Sequence, residues 1–166
     1  EHDIYLISDE VYREMIIGDE EAVSVLQVDL HDDELNEKLI NRMIVVDSAS
    51  KTFSLCGVRI GFVVSLQPIV NTIALVNAHT VACISDIMQY GVASCYDAVM
   101  WRPEYIEEFR GIYRERLEAT MEAINKYLPK CVVSIPKGAF YVMIKFPELE
   151  DVNEFCHYTL EHFNMG

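Results

Sequence analysis

Three short, nearly continuous apolar runs mark the first part of the chain: residues 3 to 8, residues 43 to 47, and Ile60 to Leu66. Unbroken apolar runs of this length are typical of parallel strands that are covered on both faces. Between the first two runs, Gly18 to Arg42 is rich in acidic residues and predicts loop and surface structure. The pattern therefore predicts a mainly parallel sheet in this part of the chain.

Two helices are predicted after the third run. Pro68 suits the first turn of a helix through Ile69 to Ala82, because the N–H that proline lacks is not needed there. Ser85 or Asp86 can cap the next helix, since both side chains accept hydrogen bonds from backbone N–H groups. Strands combined with such helices predict an α/β fold.

The longest predicted helix starts at Pro103 and is stopped by Pro129. Its apolar side recurs at three- or four-residue steps through Ile106, Phe109, Tyr113, Leu117, Thr120, Ile124 and Leu128. After it, Val132 to Ile135 and Ala139 to Phe146 predict two strands joined by a turn, and Val152 to Phe163 predicts a last helix.

The change of pattern at the long helix predicts two domains. Residues 1–102 are assigned to an α/β domain with a mainly parallel sheet. Residues 103–166 are assigned to the long helix and part of a smaller α+β domain. A chain of 166 residues can bury one core, or one core and part of another.

Composition narrows the class of protein. The chain is 51% hydrophobic and 24% charged, which is too apolar for disorder. A formal net charge of −14 argues against nucleic acid or an anionic membrane as a partner. The most apolar stretch, Ile60 to Ile84, is interrupted by polar residues and predicts no transmembrane helix. The five cysteines lack CxxC spacing, and their apolar neighbours predict reduced core thiols in a cytosolic protein.

Chemically active side chains follow two of the predicted strands. The first run leads into Ser8-Asp9-Glu10-Val11-Tyr12, and the second into Ser48-Ala49-Ser50-Lys51, followed by Gly57-Val58-Arg59-Ile60-Gly61. Ligands of open α/β sheets bind just beyond the carboxyl ends of the strands. A carboxylate, a phenol, a lysine, an arginine and hydroxyls at this edge suit an anionic cofactor that carries an aldehyde. By contrast, His31-Asp32-Asp33-Glu34 is typical of an acidic surface run, and no metal site is predicted.

These motifs resemble a known family. Asp9-Glu10-Val11-Tyr12 and the Ser-x-Ser-Lys…Gly-x-Arg-x-Gly pattern from Ser48 to Gly61 are similar to those of fold-type I pyridoxal-phosphate (PLP) enzymes, in the aspartate aminotransferase-like class I/II aminotransferases. Gly138-Ala139-Phe140-Tyr141 adds a weaker match. The resemblance implies the later portion of the PLP-binding large domain in residues 1–102 and the beginning of the small domain in residues 103–166. It also implies a fragment that lacks the N-terminal part and the C-terminal end.

The resemblance assigns three catalytic residues. Lys51 would form the Schiff base with the PLP aldehyde and afterwards move the substrate's proton. Asp9 would hold the pyridine nitrogen protonated, and Tyr12 would hydrogen-bond the 3′ oxygen of the cofactor. Taken singly, these residues also fit a surface lysine, a turn-forming aspartate and a core aromatic residue.

The cofactor's phosphate is assigned to the second strand end. Arg59 would clamp it in a bidentate contact, with Ser48 and Ser50 as hydroxyl donors, while the neighbouring glycines allow a tight backbone path. The alternative for Arg59 is a structural ion pair. The cofactor-binding set is therefore Asp9, Tyr12, Ser48, Ser50, Lys51 and Arg59.

The implied function is transfer of an amino group between an amino acid and a 2-oxo acid, of aspartate or aromatic type, by a cytoplasmic homodimer. A PLP-dependent β-lyase could carry the same residues, and a non-catalytic fragment is the alternative from another class. We expect the 166-residue chain alone to be nearly inactive, because segments that complete the family's site are missing.

Overall fold

The computed structural model describes residues 4–102 and 104–165. The strands are β1 (Leu6–Asp9), β2 (Met43–Ser48), β3 (Gly61–Val64), β4 (Val132–Ser134) and β5 (Met143–Lys145). The helices are α1 (Asp33–Ile40), α2 (Ala49–Thr52), α3 (Gln67–Thr80), α4 (Asp86–Trp101), α5 (Glu104–Tyr127) and α6 (Val152–Phe163). Single 3-10 turns occur at Val25–Gln27 and Cys56–Val58.

The first three strands form one sheet in the order β1-β2-β3. As predicted, β1 and β2 are parallel, and Asp9 lies opposite Val46 at their carboxyl ends. The prediction that the third strand is also parallel is wrong, because β3 runs antiparallel to β2 and Gly61 lies opposite Ser48. A parallel return needs a crossover to the far end of the sheet. Here the connection stays at the end of β2, where Ala49 N donates to the Ile60 carbonyl over 3.2 Å.

Coverage of the sheet differs between strands. In β2, Met43, Val45 and Asp47 are buried on one face, and the residues between them are half-buried. The prediction of two covered faces is wrong for β1, where Leu6 and Ile7 are 42% and 66% exposed. β1 lies at the edge of this sheet, so it has a described neighbour on one side only.

A small core lies against the end of β2. Its buried members are Ala49, Ile60 and Val92. Half-buried apolar and aromatic residues surround it: Phe53, Leu55, Val58, Ile84 and Tyr96. The rings of Phe53 and Tyr96 meet edge to face with centroids 4.8 Å apart, a favourable geometry for aromatic pairs. This core connects α2 and β3 to α4.

The helix ends agree in part with the sequence signals. Pro68 lies in the first turn of α3, as predicted. Ser85 occupies the cap position of α4, but its side chain makes no capping hydrogen bond. Pro103, where the long helix was predicted to start, lies outside the described residues, and α5 ends at Tyr127, shortly before Pro129.

The chain divides into two compact units, and their boundary falls inside α5 after Arg114. The first unit includes the three-stranded sheet, α1 to α4 and the short segment Lys137–Ala139. Gly138 forms a bridge with Ile16, and a Cβ there would lie 3.0 Å from the Met15 carbonyl oxygen. This close approach favours glycine, because a Cβ would have to displace the backbone carbonyl. The domain boundary predicted between residues 102 and 103 stays a prediction.

The second unit comprises Glu115–Pro136 and the chain from Phe140 onward. β4 and β5 pair antiparallel and are shorter than the predicted strands, while α6 has the predicted bounds. Asp151 caps α6 by accepting hydrogen bonds from the Asn153 and Glu154 N–H groups. Phe140 and Tyr141 lie outside the strands, and their ring centroids are 4.7 Å apart.

The cysteines are free thiols, but the prediction that they belong to the core is wrong. Cys56, Cys83 and Cys156 are exposed, and Cys95 and Cys131 are half-buried. Apolar sequence neighbours therefore did not predict burial of these side chains. Within the described residues, no helix combines the length and the apolar character needed to cross a membrane.

Candidate functional site

The carboxyl ends of β1 and β2 bring the two predicted site segments to one edge of the sheet. Glu10 N donates to the Val46 carbonyl over 2.8 Å, so the parallel pairing continues to the last residue of β1 and just beyond it. The exposed Asp9 carboxylate accepts a hydrogen bond from Val11 N at 3.2 Å and so forms a turn. This turn directs the chain from β1 to Tyr12.

The lysine segment is held by the core beneath it. Ser48 ends β2 and caps α2, with its Oγ accepting from Ser50 N at 3.2 Å. Ala49 and Thr52, on either side of Lys51, are buried, while Lys51 itself is half-buried. The Tyr105 hydroxyl donates to the Thr52 carbonyl over 3.1 Å. The backbone of Lys51 is therefore fixed on both sides.

The structure brings Lys51 and Tyr12 together. Lys51 Nζ lies 5.3 Å from the centroid of the Tyr12 ring, within the range of a cation–π contact. The same amine lies 4.0 Å from the sulfur of Cys56, and the Cys56 thiol donates to the Ser50 carbonyl at 3.2 Å. An amine, a phenol and a thiol thus share this strand edge.

Arg59 follows the 3-10 turn Cys56–Val58, and its backbone conformation is unusual. Its φ of 59° is in the left-handed region, which non-glycine residues rarely adopt. The exposed guanidinium donates from Nη1 to the Cys56 carbonyl over 3.0 Å. Among the described residues it makes no ion pair with a carboxylate. Within the described part of the chain, the charge of Arg59 is therefore not neutralised by a carboxylate.

Of the two glycines near Arg59, only Gly61 lies where another backbone segment passes close to it. A Cβ on Gly61 would lie 3.0 Å from the Asp47 carbonyl oxygen, which is too close for most side chains. Gly57 has open space around it and no positive φ. The expectation that both glycines serve the tight path is wrong for Gly57, because Arg59 itself adopts the left-handed conformation.

A half-buried ionic cluster lies at the ends of β1 and β2, and sequence reasoning missed it. Arg13 contacts three carboxylates: Glu10 at 3.5 Å, Glu14 at 3.3 Å and Asp47 at 3.4 Å. Glu10 also accepts from the Val25 N–H at 2.9 Å, which ties the 3-10 turn to the end of β1. Two signals in the sequence point to the cluster: a buried-strand run that ends in Asp47, and an arginine three residues after Glu10.

The cluster shifts the pKa values of its carboxyl groups in opposite directions. Burial raises the pKa of Asp47, and the Ser48 N–H and Arg13 offset this only in part. Burial also acts to raise the pKa of Glu10, but hydrogen bonds from Ser24 and Val25 outweigh it, so the pKa lies below its ordinary value. Burial, with the charge of Asp47, raises the pKa of the nearby Tyr96 to about 12. A carboxylate–guanidinium cluster of this kind positions backbone segments around a site.

The residues present fit the PLP group that the sequence implies. Arg59 offers a cation that has no carboxylate partner in the described part of the chain. The Ser48 hydroxyl, although it accepts from Ser50 N, keeps its own hydrogen for donation. Lys51 offers an amine at the same loop. The donor set is that expected for a phosphate and an aldehyde on one ligand.

Comparisons with known proteins show which family the chain is similar to. Residues 1–165 match the family described as "Aminotransferase class I and II". The aspartate aminotransferase of Bacillus subtilis (strain 168) is 29% identical over 167 residues, covering 97% of this chain and 40% of that protein. The chain thus spans 40% of the length of this curated relative.

Solved structures share the fold. An aromatic aminotransferase from Pyrococcus horikoshii OT3 superposes with a TM-score of 0.79 at 28% identity, over 96% of this chain and 40% of that one. LysN, an α-aminoadipate aminotransferase from Thermus thermophilus, was solved with N-(5'-phosphopyridoxyl)-L-leucine. It superposes with a TM-score of 0.79 over 95% of this chain and 38% of that chain, and at 21% identity it shows the shared fold.

Proposed function

Since the chain belongs to the class I and II aminotransferases, we propose that the protein containing it transfers an amino group between an amino acid and a 2-oxo acid with PLP as cofactor. The observation that carries this proposal is the placement of Lys51 Nζ over the Tyr12 ring, on a loop that also holds the exposed Arg59 guanidinium. A nucleophilic amine beside an anion-binding group is what an aldehyde-bearing phosphate ester requires.

The phosphate is assigned to Arg59, Ser48 and Ser50. Arg59 presents N–H donors in a planar fork, which matches two phosphate oxygens. Ser48 lies at the N-terminal end of α2 and Ser50 within its first turn, so both hydroxyls are close to the end of β2. These three residues would bind and orient the cofactor, and they take no part in bond breaking or proton transfer.

The chemistry is assigned to Lys51, Tyr12 and Asp9. When bound, PLP supplies an electron sink for the α-carbon of the amino acid. Lys51 Nζ would hold the aldehyde end of the cofactor, and once the substrate's amine displaces it, the freed Lys51 amine would take up the proton released from the substrate's α-carbon. Tyr12, whose ring centroid lies 5.3 Å from the Lys51 amine, would hydrogen-bond the 3′ oxygen of the cofactor. The Asp9 carboxylate would keep a proton on the pyridine nitrogen. Asp9 is exposed in the described part of the chain, so its carboxylate is accessible to a ligand.

The substrate class follows the relatives. Two of the similar proteins are named aspartate and aromatic aminotransferases, so we assign aspartate or an aromatic amino acid as donor. The protein is proposed to be a cytoplasmic homodimer. Free thiols are typical of a reducing compartment, and Leu75, Ile87 and Tyr90 on α3 and α4 are largely exposed apolar residues of the kind that subunit interfaces cover.

The test is chemical labelling of Lys51 in the complete protein. We expect PLP followed by borohydride to leave a pyridoxyl group on Lys51 that is absent in Lys51→Ala. Lys38→Ala is the matched control, because Lys38 lies in the same unit and is paired with Glu34 on α1. Labelling spread over surface lysines, with Lys51 unmodified, would contradict the assignment.

Turnover then separates transamination from elimination. We expect 2-oxo acid formation from aspartate or an aromatic amino acid to require a 2-oxo acid acceptor. Formation of a 2-oxo acid at the same rate without an acceptor would indicate a PLP-dependent β-lyase instead.

A further inference from the structure

The proposed cofactor lysine has a thiol neighbour that the proposed reaction does not use. Lys51 Nζ and Cys56 Sγ are 4.0 Å apart, and the thiol is oriented by its hydrogen bond to the Ser50 carbonyl. Cys56 is exposed, so small oxidants in solution reach its sulfur. No other cysteine in the described ranges makes a hydrogen bond with a lysine amine.

We propose that Lys51 and Cys56 form a reversible covalent S–N bridge when a peroxide oxidises the thiol. In the first step the sulfur takes one oxygen from hydrogen peroxide, giving a sulfenic acid and one water. In the second step Lys51 Nζ attacks the sulfur, the S–N bond forms, and the hydroxyl leaves with an amine proton as a second water. The sulfur is oxidised, the peroxide is reduced, and the protein loses two hydrogen atoms in total.

The geometry favours this bridge over further oxidation of the sulfur. The amine is already in hydrogen-bond contact with the sulfur, so ring closure needs only side-chain rotation. The two residues are five positions apart, and buried Ala49 and Thr52 hold the backbone of α2 in place. Because the partner is intramolecular and close, its effective concentration exceeds that of a second peroxide molecule.

The bridge would act as a switch on the proposed site, and this consequence rests on the proposed function. It occupies the Lys51 amine that would hold the cofactor, so cofactor loading stops while the bridge exists. Two small-molecule thiols reverse it: the first displaces the amine and forms a mixed disulfide with Cys56, and the second releases the Cys56 thiol as the small-molecule disulfide leaves.

The experiment treats the cofactor-free complete protein with hydrogen peroxide and maps its peptides by mass. The expected product is a Lys51–Cys56 peptide lighter by two hydrogen atoms, which returns to its original mass with dithiothreitol. Cys56→Ser should give no such product. Cys83→Ser should give it as the wild type does, because Cys83 is an exposed cysteine of the same unit that makes no hydrogen bond with a lysine amine within the described residues.

A second readout is the pyridoxyl label on Lys51. Peroxide should abolish labelling in the wild type and in Cys83→Ser, dithiothreitol should restore it, and Cys56→Ser should be labelled with or without peroxide. Recovery of Cys56 only as sulfinic or sulfonic acid, with the Lys51 amine unmodified, would overturn the bridge. A bridge without any pyridoxyl label in untreated protein would instead overturn the proposed function and leave the bridge standing.

Discussion

The phosphate assignment of Arg59 predicts a loss of cofactor affinity that depends on the phosphate. We expect Arg59→Gln to weaken PLP binding while leaving the affinity for pyridoxal, which lacks the phosphate, nearly unchanged. Glutamine keeps an N–H donor at this position, and its backbone must adopt the same left-handed conformation, with φ at 59°, as that of arginine. The substitution therefore removes the charge and the fork without a new backbone cost.

The magnitude follows from the contacts of the guanidinium. One of its N–H groups is used by the Cys56 carbonyl, and no carboxylate competes for the rest among the described residues. A hydrogen bond to a charged group contributes about 1.5–3 kcal/mol, and we take the lower part of this range because the side chain is exposed. A loss of about 1.5–2 kcal/mol corresponds to an increase of about 10- to 30-fold in the dissociation constant.

The assay is titration of the complete protein with PLP and, separately, with pyridoxal, in which binding is monitored by the absorbance of the bound ligand. Arg59→Lys keeps the charge without the planar fork and should lose less affinity than Arg59→Gln. Arg42→Gln is the matched control, because Arg42 lies at the opposite end of β2, where its carbonyl accepts from Leu6 N. Equal losses for PLP and pyridoxal in Arg59→Gln, or an equal loss in Arg42→Gln, would refute the phosphate contact.

Three further predictions concern the support of the site. The pKa of Asp47 is raised in the folded chain, so its contribution to stability falls as pH rises from the ordinary carboxyl pKa through the raised one. Asp47→Asn should therefore raise the urea midpoint at neutral pH but not at acid pH, and a loss at neutral pH would contradict this. The buried Tyr96 hydroxyl has no hydrogen-bond partner among the described residues. Tyr96→Phe should therefore raise the free energy of unfolding in urea by up to about 1–2 kcal/mol. A lower free energy of unfolding would show that the hydroxyl has a partner. Met15 is 2% exposed, and Met15→Ala should lower the free energy of unfolding by about 2–5 kcal/mol in the same measurement. A loss near zero would show that the surroundings of Met15 are loosely packed.

Local signals in the sequence predicted helices better than they predicted the sheet. α6 has the predicted bounds because Asp151 caps it and its apolar positions follow a helical period. The direction of β3 was wrong because an apolar run carries no information about direction. Direction was decided by the compact connection through α2, in which Ala49 N bonds the Ile60 carbonyl.

The ionic cluster around Arg13 could not be derived from motifs. Its members come from the end of β1, the turn after it and the end of β2, so the contacts exist only once β1 and β2 are in register. A motif identifies residues that face a ligand, whereas these residues face each other. Sequence reasoning therefore identified the candidate chemistry at Lys51 and Arg59 without the charges that hold the strand ends.

The support of Lys51 shows why its position depends on residues far along the chain. Ser48 caps the short helix, and this does not compete with a role at the phosphate, because a hydroxyl can accept from Ser50 N and donate elsewhere at the same time. A helix of four residues is not stable alone, so its geometry must come from tertiary contacts. Those contacts are the burial of Ala49 and Thr52 and the hydrogen bond from Tyr105, which lies on α5. The lysine motif therefore specifies an amine, and the packing of α4 and α5 against its loop decides where that amine points.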